Sequence, residues 1–141
     1  MNGFMCRLAS GFLSCRLLQA FAALPMLAAS LASAATFPVT HTGDSGDGSL
    51  RWAIDQSNGR PGVDRITFNI PGPGPHAIVV LSQLPDLHDT CDVDGATQPG
   101  YSGSPLVYVS GEAVHGDLLG YHPSGLIVRA SDCLLRGIGF V

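Results

Sequence analysis

The sequence predicts an all-β fold, a right-handed parallel β-helix consisting of an N-terminal cap helix and the first two to three coils, truncated after them. Three observations predict it. Downstream of residue 34 the apolar runs are only three to five residues long and are separated by Gly, Pro, Asp and Ser, the pattern of many short strands joined by turns. Only one segment has a helical period. The last eighteen residues, Ser124 to Val141, read as strand, corner, strand, corner, strand. Leu126 to Val128, Cys133 to Leu135 and Ile138 to Val141 are nearly continuous in apolar character, with Gly, Ser or Asp between them. A sandwich needs alternating strands of about five to six residues, so this spacing suits one coil of a solenoid better.

The 141 residues allow one domain at most. Residues 1–34 read as an export leader and residues 35–141 as the domain. Arg7 and Arg16 supply a basic start, Leu17 to Leu31 an apolar run, and Ala32-Ser33-Ala34 the small residues that fit a leader peptidase, so cleavage is expected between Ala34 and Ala35. Met5 is a second candidate start. A retained membrane anchor is the competing reading, but Pro25 interrupts a run that already falls short of the ~20 apolar residues a span needs. Cys15 stands before the apolar run, which argues against lipidation. The domain alone carries five Arg, no Lys and all 11 acidic residues, a net charge of −6. That balance disfavours nucleic acid and anionic lipid, both of which need a clustered cationic face.

After a short strand from Phe37 to Thr40, the loop from Thr42 to Gly48 consists of residues that tolerate turns. Ser49 then opens a helix as its N-cap, and Leu50, Ala53, Ile54 and Ser57 form one weakly apolar stripe at i, i+3, i+4 and i+7. Asn58-Gly59 is expected to give a left-handed stop, and Pro61 prevents resumption. So short a helix does not persist alone in water and must lie on something. Arg65 to Ile70 alternates, with Ile66, Phe68 and Ile70 on one face, and the prolines from Pro71 to Pro75 end the strand. Further strands are expected at Ala77 to Leu81, Leu106 to Val109 and the three C-terminal runs, with a shorter piece at Cys91 to Val93.

The stretch from His41 to Ile54, followed by Ile66-Thr67-Phe68-Asn69-Ile70-Pro71-Gly72 and Asp94 to Tyr101, resembles the N-terminal region of exported bacterial β-helix proteins. These include the CSLREA-domain and the polymorphic outer-membrane or adhesin-like families. The similarity runs from about Val39 to Val141, and its most specific part is Gly48-Ser49-Leu50-Arg51-x-Ala53-Ile54. Gly48 stands where the CSLREA signature has Cys, and Trp52 where it has Glu. The resemblance implies a pectin-lyase-like fold in which the helix plugs the open N-terminal end of the stack, and it implies no catalytic residues. Ser49, Leu50, Arg51, Ala53 and Ile54 are then a structural cap. Leu50, Ala53 and Ile54 would face the first coil, Arg51 and Asp55 would pair at i, i+4 on the outer side, and Trp52 would lap the edge.

The chain stops at Phe140-Val141 within an apolar run, and repeat folds generally need about three coils before neighbour contacts outweigh chain entropy. The expectation is the front portion of a longer protein; a complete small domain with a bare edge is the alternative. Cleavage would leave Cys91 and Cys133, 42 positions apart. With coils of roughly 20 residues they fall about two rungs apart, nearly 10 Å at ~4.8 Å per rung, beyond disulfide reach. Free thiols are therefore expected unless an irregular early coil shortens the path.

Several constellations bear on chemistry. Gly43-Asp44-Ser45-Gly46 matches four letters of the nucleophile loop of trypsin-like proteases, but it lacks the upstream His and Asp, and turn chemistry accounts for it. Asp89, Asp92 and Asp94 with Gly95 hint at a calcium loop whose remaining positions do not fit, so turn duty is expected. Asp117, Arg129, Asp132 and Arg136 are the residues that an enzyme groove on the outside of a β-helix would use. His41, His76, His88, His115 and His122 lack ligand spacing and are expected at surface or turn positions. No cofactor, metal, nucleotide or nucleic acid is expected. The expected function is that of a non-enzymatic, exported, adhesin-like segment at the cell surface, the outer membrane or outside the cell. Its expected partners are a glycan or other cell-surface ligand, or a second copy through the C-terminal edge. The alternative is the front of a carbohydrate-active lyase or hydrolase.

Overall fold

The computed structural model describes residues 33–114 and 125–141. The leader, apart from Ser33 and Ala34, lies outside them, as do His115, Asp117 and His122. The described elements run β1 (Thr36–Val39), α1 (Leu50–Asn58), β2 (Asp64–Phe68), β3 (His76–Val79), β4 (Cys91–Asp94), a single 3-10 turn (Gly95–Thr97), β5 (Val107–Ser110), β6 (Leu134–Arg136) and β7 (Ile138–Phe140). The described residues form mainly short strands with little helix.

The strands form two sheets, ordered β1-β2-β4-β6 and β3-β5-β7, and every pair is parallel. Beyond β1 and β2, no strand pairs with its chain neighbour. From β2 the chain crosses to β3 in the second sheet, passes Leu87, and returns to the first sheet as β4. Leu87 itself makes an isolated parallel bridge to Val128. Parallel partners cannot be joined by a tight hairpin, so each return needs a long connection. The returns are longer than the roughly 20 residues expected from the sequence. They take 27 positions from Asp64 to Cys91, 31 from His76 to Val107 and again from Val107 to Ile138, and 42 from Asp92 to Leu134. Between β4 and β5 part of the extra length goes into the 3-10 turn and the segment after it.

Register aligns the apolar residues in columns. Phe37, Ile66, Val93 and Leu135 are successive partners across the first sheet, and Ile78, Val109 and Phe140 across the second. The inward members Val39, Ile66, Phe68, Ile70, Ile78, Val80, Leu84, Leu87, Val93, Val107 and Val109 form one buried core. Each fully buried Val, Ile, Leu or Phe adds about 1.5–3 kcal/mol of transfer free energy. Only Gly137 separates β6 from β7, and the corner it makes requires its positive φ of 65°. A Cβ at Gly137 would lie 2.5 Å from the Ala96 nitrogen, so side chains larger than hydrogen are shut out of this corner.

Helix α1 begins where Ser49 Oγ accepts a hydrogen bond from the Trp52 N–H, 3.1 Å away. Its buried residues are Leu50, Ala53, Ile54 and Ser57, the stripe read from the sequence, and the three apolar ones join the core beside β1 and β2. Trp52 meets Phe37 edge to face at 6.1 Å, and the Arg60 guanidinium lies over the Phe37 ring at 5.7 Å. Two details depart from the sequence reading. Gly59 is right-handed (φ −83°), so the helix stops without a left-handed residue. The Asn58 side chain bonds outward, donating to the Asp86 carbonyl at 2.7 Å and accepting from the His88 N–H at 2.8 Å.

Arg51 likewise does not pair with Asp55. Its guanidinium donates to Asp44 Oδ1 (2.7 Å), to the Asp44 carbonyl (3.3 Å), and to the Ser82 (2.9 Å) and Gln83 (2.7 Å) carbonyls. Asp44 Oδ1 also accepts from the Leu81 N–H. One side chain thus ties the helix to the loop before it and to the segment after β3, which an i, i+4 contact on the helix surface could not do.

The long return from Asp92 to Leu134 corrects the expected spacing of the cysteines, though not their free state. Asp92 faces Leu134, so Cys91 and Cys133 stand one rung apart, not two. The Cys91 N–H donates to Cys133 Sγ at 3.3 Å. Both thiols are free in this structure. Adjacent rungs at ~4.8 Å fall inside the Cα–Cα range of disulfides. We predict that oxidised glutathione will join the two thiols within one chain. Peptide mapping should recover the linked pair, and denaturant unfolding should show a gain of up to about 4 kcal/mol.

Candidate functional site

The outer face of the four-stranded sheet holds the densest charged cluster among the described residues. Alternation along β2 and β4 turns Ile66, Phe68, Cys91 and Val93 inward and leaves Arg65, Thr67, Asp92 and Asp94 on the opposite side. Register then sets Thr67, Asp94 and Arg136 in one row, and Arg65, Asp92 and Leu134 in another. Three circuits of the chain therefore deliver one acid and two guanidinium groups to the same spot.

Asp94 is 2% exposed although it lies on the outer side, because the two arginines cover it. Arg136 grips it with two bonds, Nε to Oδ1 at 2.8 Å and Nη2 to Oδ2 at 2.6 Å. Arg65 Nη2 donates to the same Oδ2, and the Ala96 N–H donates to Oδ1 at 3.2 Å, so the carboxylate also caps the 3-10 turn. The hydrogen bonds from Arg136, working against burial and aided by those from Arg65, hold Asp94 down to about 2. An acid held ionised in this way cannot serve as the general acid that glycoside cleavage needs. The arginines remain 46% and 52% exposed, so their free N–H groups face solvent. Asp92 and Tyr101 lie near enough to strengthen the charge on Arg136. The face is thus suited to hydrogen-bonding polar or acidic groups from outside, with Asp94 as its fixed anchor.

The other candidates are dispersed. Arg129 is paired with Asp86, away from Arg136. Asp132 occupies a left-handed corner (φ 59°), and Asp89 accepts from the Thr90 N–H in a turn. Among the described residues no group of three His, Cys, Asp or Glu is placed to hold a metal ion. Asp44 of the Gly43-Asp44-Ser45-Gly46 loop is occupied by Arg51, and the His41 ring bonds only within that loop. It accepts from the Gly43 N–H at Nδ1 and donates from Nε2 to the Asp47 carbonyl.

His76 corrects the expectation of a surface or turn position, for it is buried on β3. Its partner is Gln98, 2% exposed, whose amide imitates a strand edge. Gln98 Oε1 accepts from the Ile70 N–H at 2.9 Å, and Nε2 donates to the Ile70 carbonyl at 2.8 Å. The remaining amide hydrogen points to His76 Nε2 at 3.2 Å, which makes that nitrogen an acceptor and puts the ring proton on Nδ1. Sequence reasoning missed both the Gln98 clamp and the Arg65–Asp94–Arg136 cluster. Its residues are scattered along the chain, and only strand register brings them together.

Compared with protein-family models, curated proteins and solved structures, the chain matches none.

The charge cluster predicts acid sensitivity. Because Asp94 is depressed to about 2 in the folded chain against about 3.9 when unfolded, its contribution is complete above pH ~4 and disappears as pH falls towards 2. With solvent screening of the half-exposed arginines, that contribution is about 1–2 kcal/mol. Urea unfolding from pH 6 to 2 should show the wild type losing this increment, whereas Asp94→Asn starts lower and has a flatter acid limb. At the other cluster, Arg51→Lys should cost about 2 kcal/mol, since an ammonium cannot reproduce the guanidinium fork. Equal urea midpoints for the Arg51→Lys variant and the wild type would contradict that role of Arg51.

Proposed function

We propose that residues 35–141 are the capped front of a right-handed parallel β-helix, exported through the leader at residues 1–34, which acts without catalysis as an adhesin-like module. The observation that carries this reading is the order of the strands. The chain visits the first sheet, the second sheet and the Leu87 or Val128 position in turn, and each visit pairs parallel with the previous one. Right-handed crossovers are the rule for parallel connections, which supports that hand. Leu50, Ala53 and Ile54 of α1 cover the core beside β1, the outermost strand of its sheet, as a cap would.

The non-enzymatic reading is supported by the outer face, where one of two neighbouring acids is consumed by ion pairs. Its proposed ligand is a polar or acidic glycan or another cell-surface molecule, met by Arg65 and Arg136. Leu134, Leu135, Phe140 and Val141 are 40–75% exposed along β6, β7 and the residue that follows, an edge through which a second copy is the other proposed partner. Among the described residues no helix is long and apolar enough to cross a membrane.

The test is to express the full chain in a bacterial host, locate it by fractionation, and measure binding and turnover of acidic polysaccharides. We expect processed chain at the surface or in the medium, and glycan retention that weakens about tenfold in an Arg65→Ala, Arg136→Ala double variant, the loss of roughly two exposed charged hydrogen bonds. Unprocessed chain in the cytoplasm would overturn export. Release of unsaturated or reducing sugar that depends on Asp92 would replace the adhesin-like reading with that of a carbohydrate-active enzyme.

A further inference from the structure

Among the described residues Asp64 is the one carboxylate of the core interior, and it is only half satisfied. It sits at the start of β2 on the inward side, 1% exposed, facing Cys91 in the register. Oδ1 accepts one hydrogen bond, from the Ala35 N–H at 2.8 Å. Oδ2 is fully buried and has no hydrogen-bond partner among the described residues. No ion pair from those residues reaches Asp64, since the neighbouring Arg65 is engaged with Asp94. A buried carboxylate with one neutral donor and an orphaned oxygen is costly, and such costs are tolerated where a partner of opposite charge is supplied.

The single donor that Asp64 does have is the nitrogen at which the leader is expected to end. We propose that cleavage of the Ala34–Ala35 bond creates that partner, so that the new α-ammonium of Ala35 is held by Asp64 and processing locks β1 onto β2. The inference rests on the proposed export reading. In the step, a leader peptidase adds one water across the amide. The hydroxyl goes to the Ala34 carbonyl carbon, which departs as a carboxylate, and the Ala35 nitrogen takes up hydrogen to become an ammonium. The nitrogen gains two donors and a positive charge without having to move. Ala35 is pinned on its other side, where its carbonyl accepts from the Arg65 N–H at 2.8 Å, and Thr36 is already paired with Arg65. An ammonium with three donors at this place can serve Oδ1 and Oδ2 together. A chain that keeps Ala34, or is cut elsewhere, cannot.

The sequence has no lysine, which makes the α-amine the only primary amine in the processed chain. The full chain is exported from a bacterial host, its N-terminus is read by mass spectrometry, and the folded product is treated with an amine-selective acetylating ester. We expect an N-terminus at Ala35, acetylated about tenfold more slowly in the wild type than in Asp64→Asn, because the paired amine reacts only when the end of β1 opens. Forced acetylation in urea, followed by refolding, should lower the wild-type thermal midpoint by about 5 °C and leave that of Asp64→Asn unchanged. If Asp64→Asn does not fold, the slow reaction of folded wild type relative to wild type in urea, with the acetylation-dependent midpoint, carries the same information. An N-terminus at Ala35 whose amine reacts as fast folded as unfolded overturns the pairing and leaves export standing. An exported chain cut elsewhere overturns the pairing alone, and an uncut chain in the cytoplasm overturns both.

Discussion

Parallel pairing of each strand with its counterpart from the previous circuit is the constraint on which the rest of the structure depends. A strand paired this way cannot meet its partner through a short turn, so the chain must travel away and return in the same direction. On return, residues of like character stack: Phe37, Ile66, Val93 and Leu135 along one sheet, Ile78, Val109 and Phe140 along the other. A slip of one position would exchange inward and outward sets on a strand, so the apolar columns hold the register. The same register decides everything on the outside. It is why Arg65, Asp94 and Arg136 share one spot, and why Cys91 and Cys133 are neighbours across 42 positions of chain.

Between strands the backbone lacks ladder partners, and side chains supply them. Gln98 gives Ile70 both a donor and an acceptor, Asn58 does the same for the 86–88 segment, and Arg51 closes three carbonyls and one carboxylate around the start of α1. These contacts explain how a fold with strands of three to five residues keeps its long irregular connections in place. Buried backbone groups must be paired, and where no neighbouring strand exists an amide or guanidinium is the geometric substitute. Burial raises Asp44, yet the hydrogen bonds from Arg51 and the Leu81 N–H outweigh it and keep the carboxyl below its usual range.

The outer face and the interior show two ways of placing an acid out of water. Asp94 is surrounded by donors, two of them charged, and is held ionised as a fixed structural charge. Asp64 has, among the described residues, one neutral donor and a bare oxygen. That contrast between two buried carboxylates of adjacent strands separates a completed site from one that awaits a cation.

From the sequence by itself came the short strands, the single helix with Ser49 at its start and Leu50, Ala53 and Ile54 on its buried side, the Asp132 corner and the inward set of β2. Each of these follows from local chemistry or from a period of two or 3.6, which neighbouring residues express without reference to the rest of the chain. The tertiary structure alone decided the length of each return, and with it which residues meet. A return of roughly 20 residues is only an expected average, and the 42 positions from Asp92 to Leu134 include turns whose length no periodicity announces. Hence the cysteines moved from two strands apart to one, Arg51 chose Asp44 over Asp55, His76 went inside against Gln98, and Asp94 became an anchor for two arginines as well as the cap of a turn. Pair contacts across parallel strands depend on the sum of everything between them, and that sum is fixed only when the chain closes each circuit.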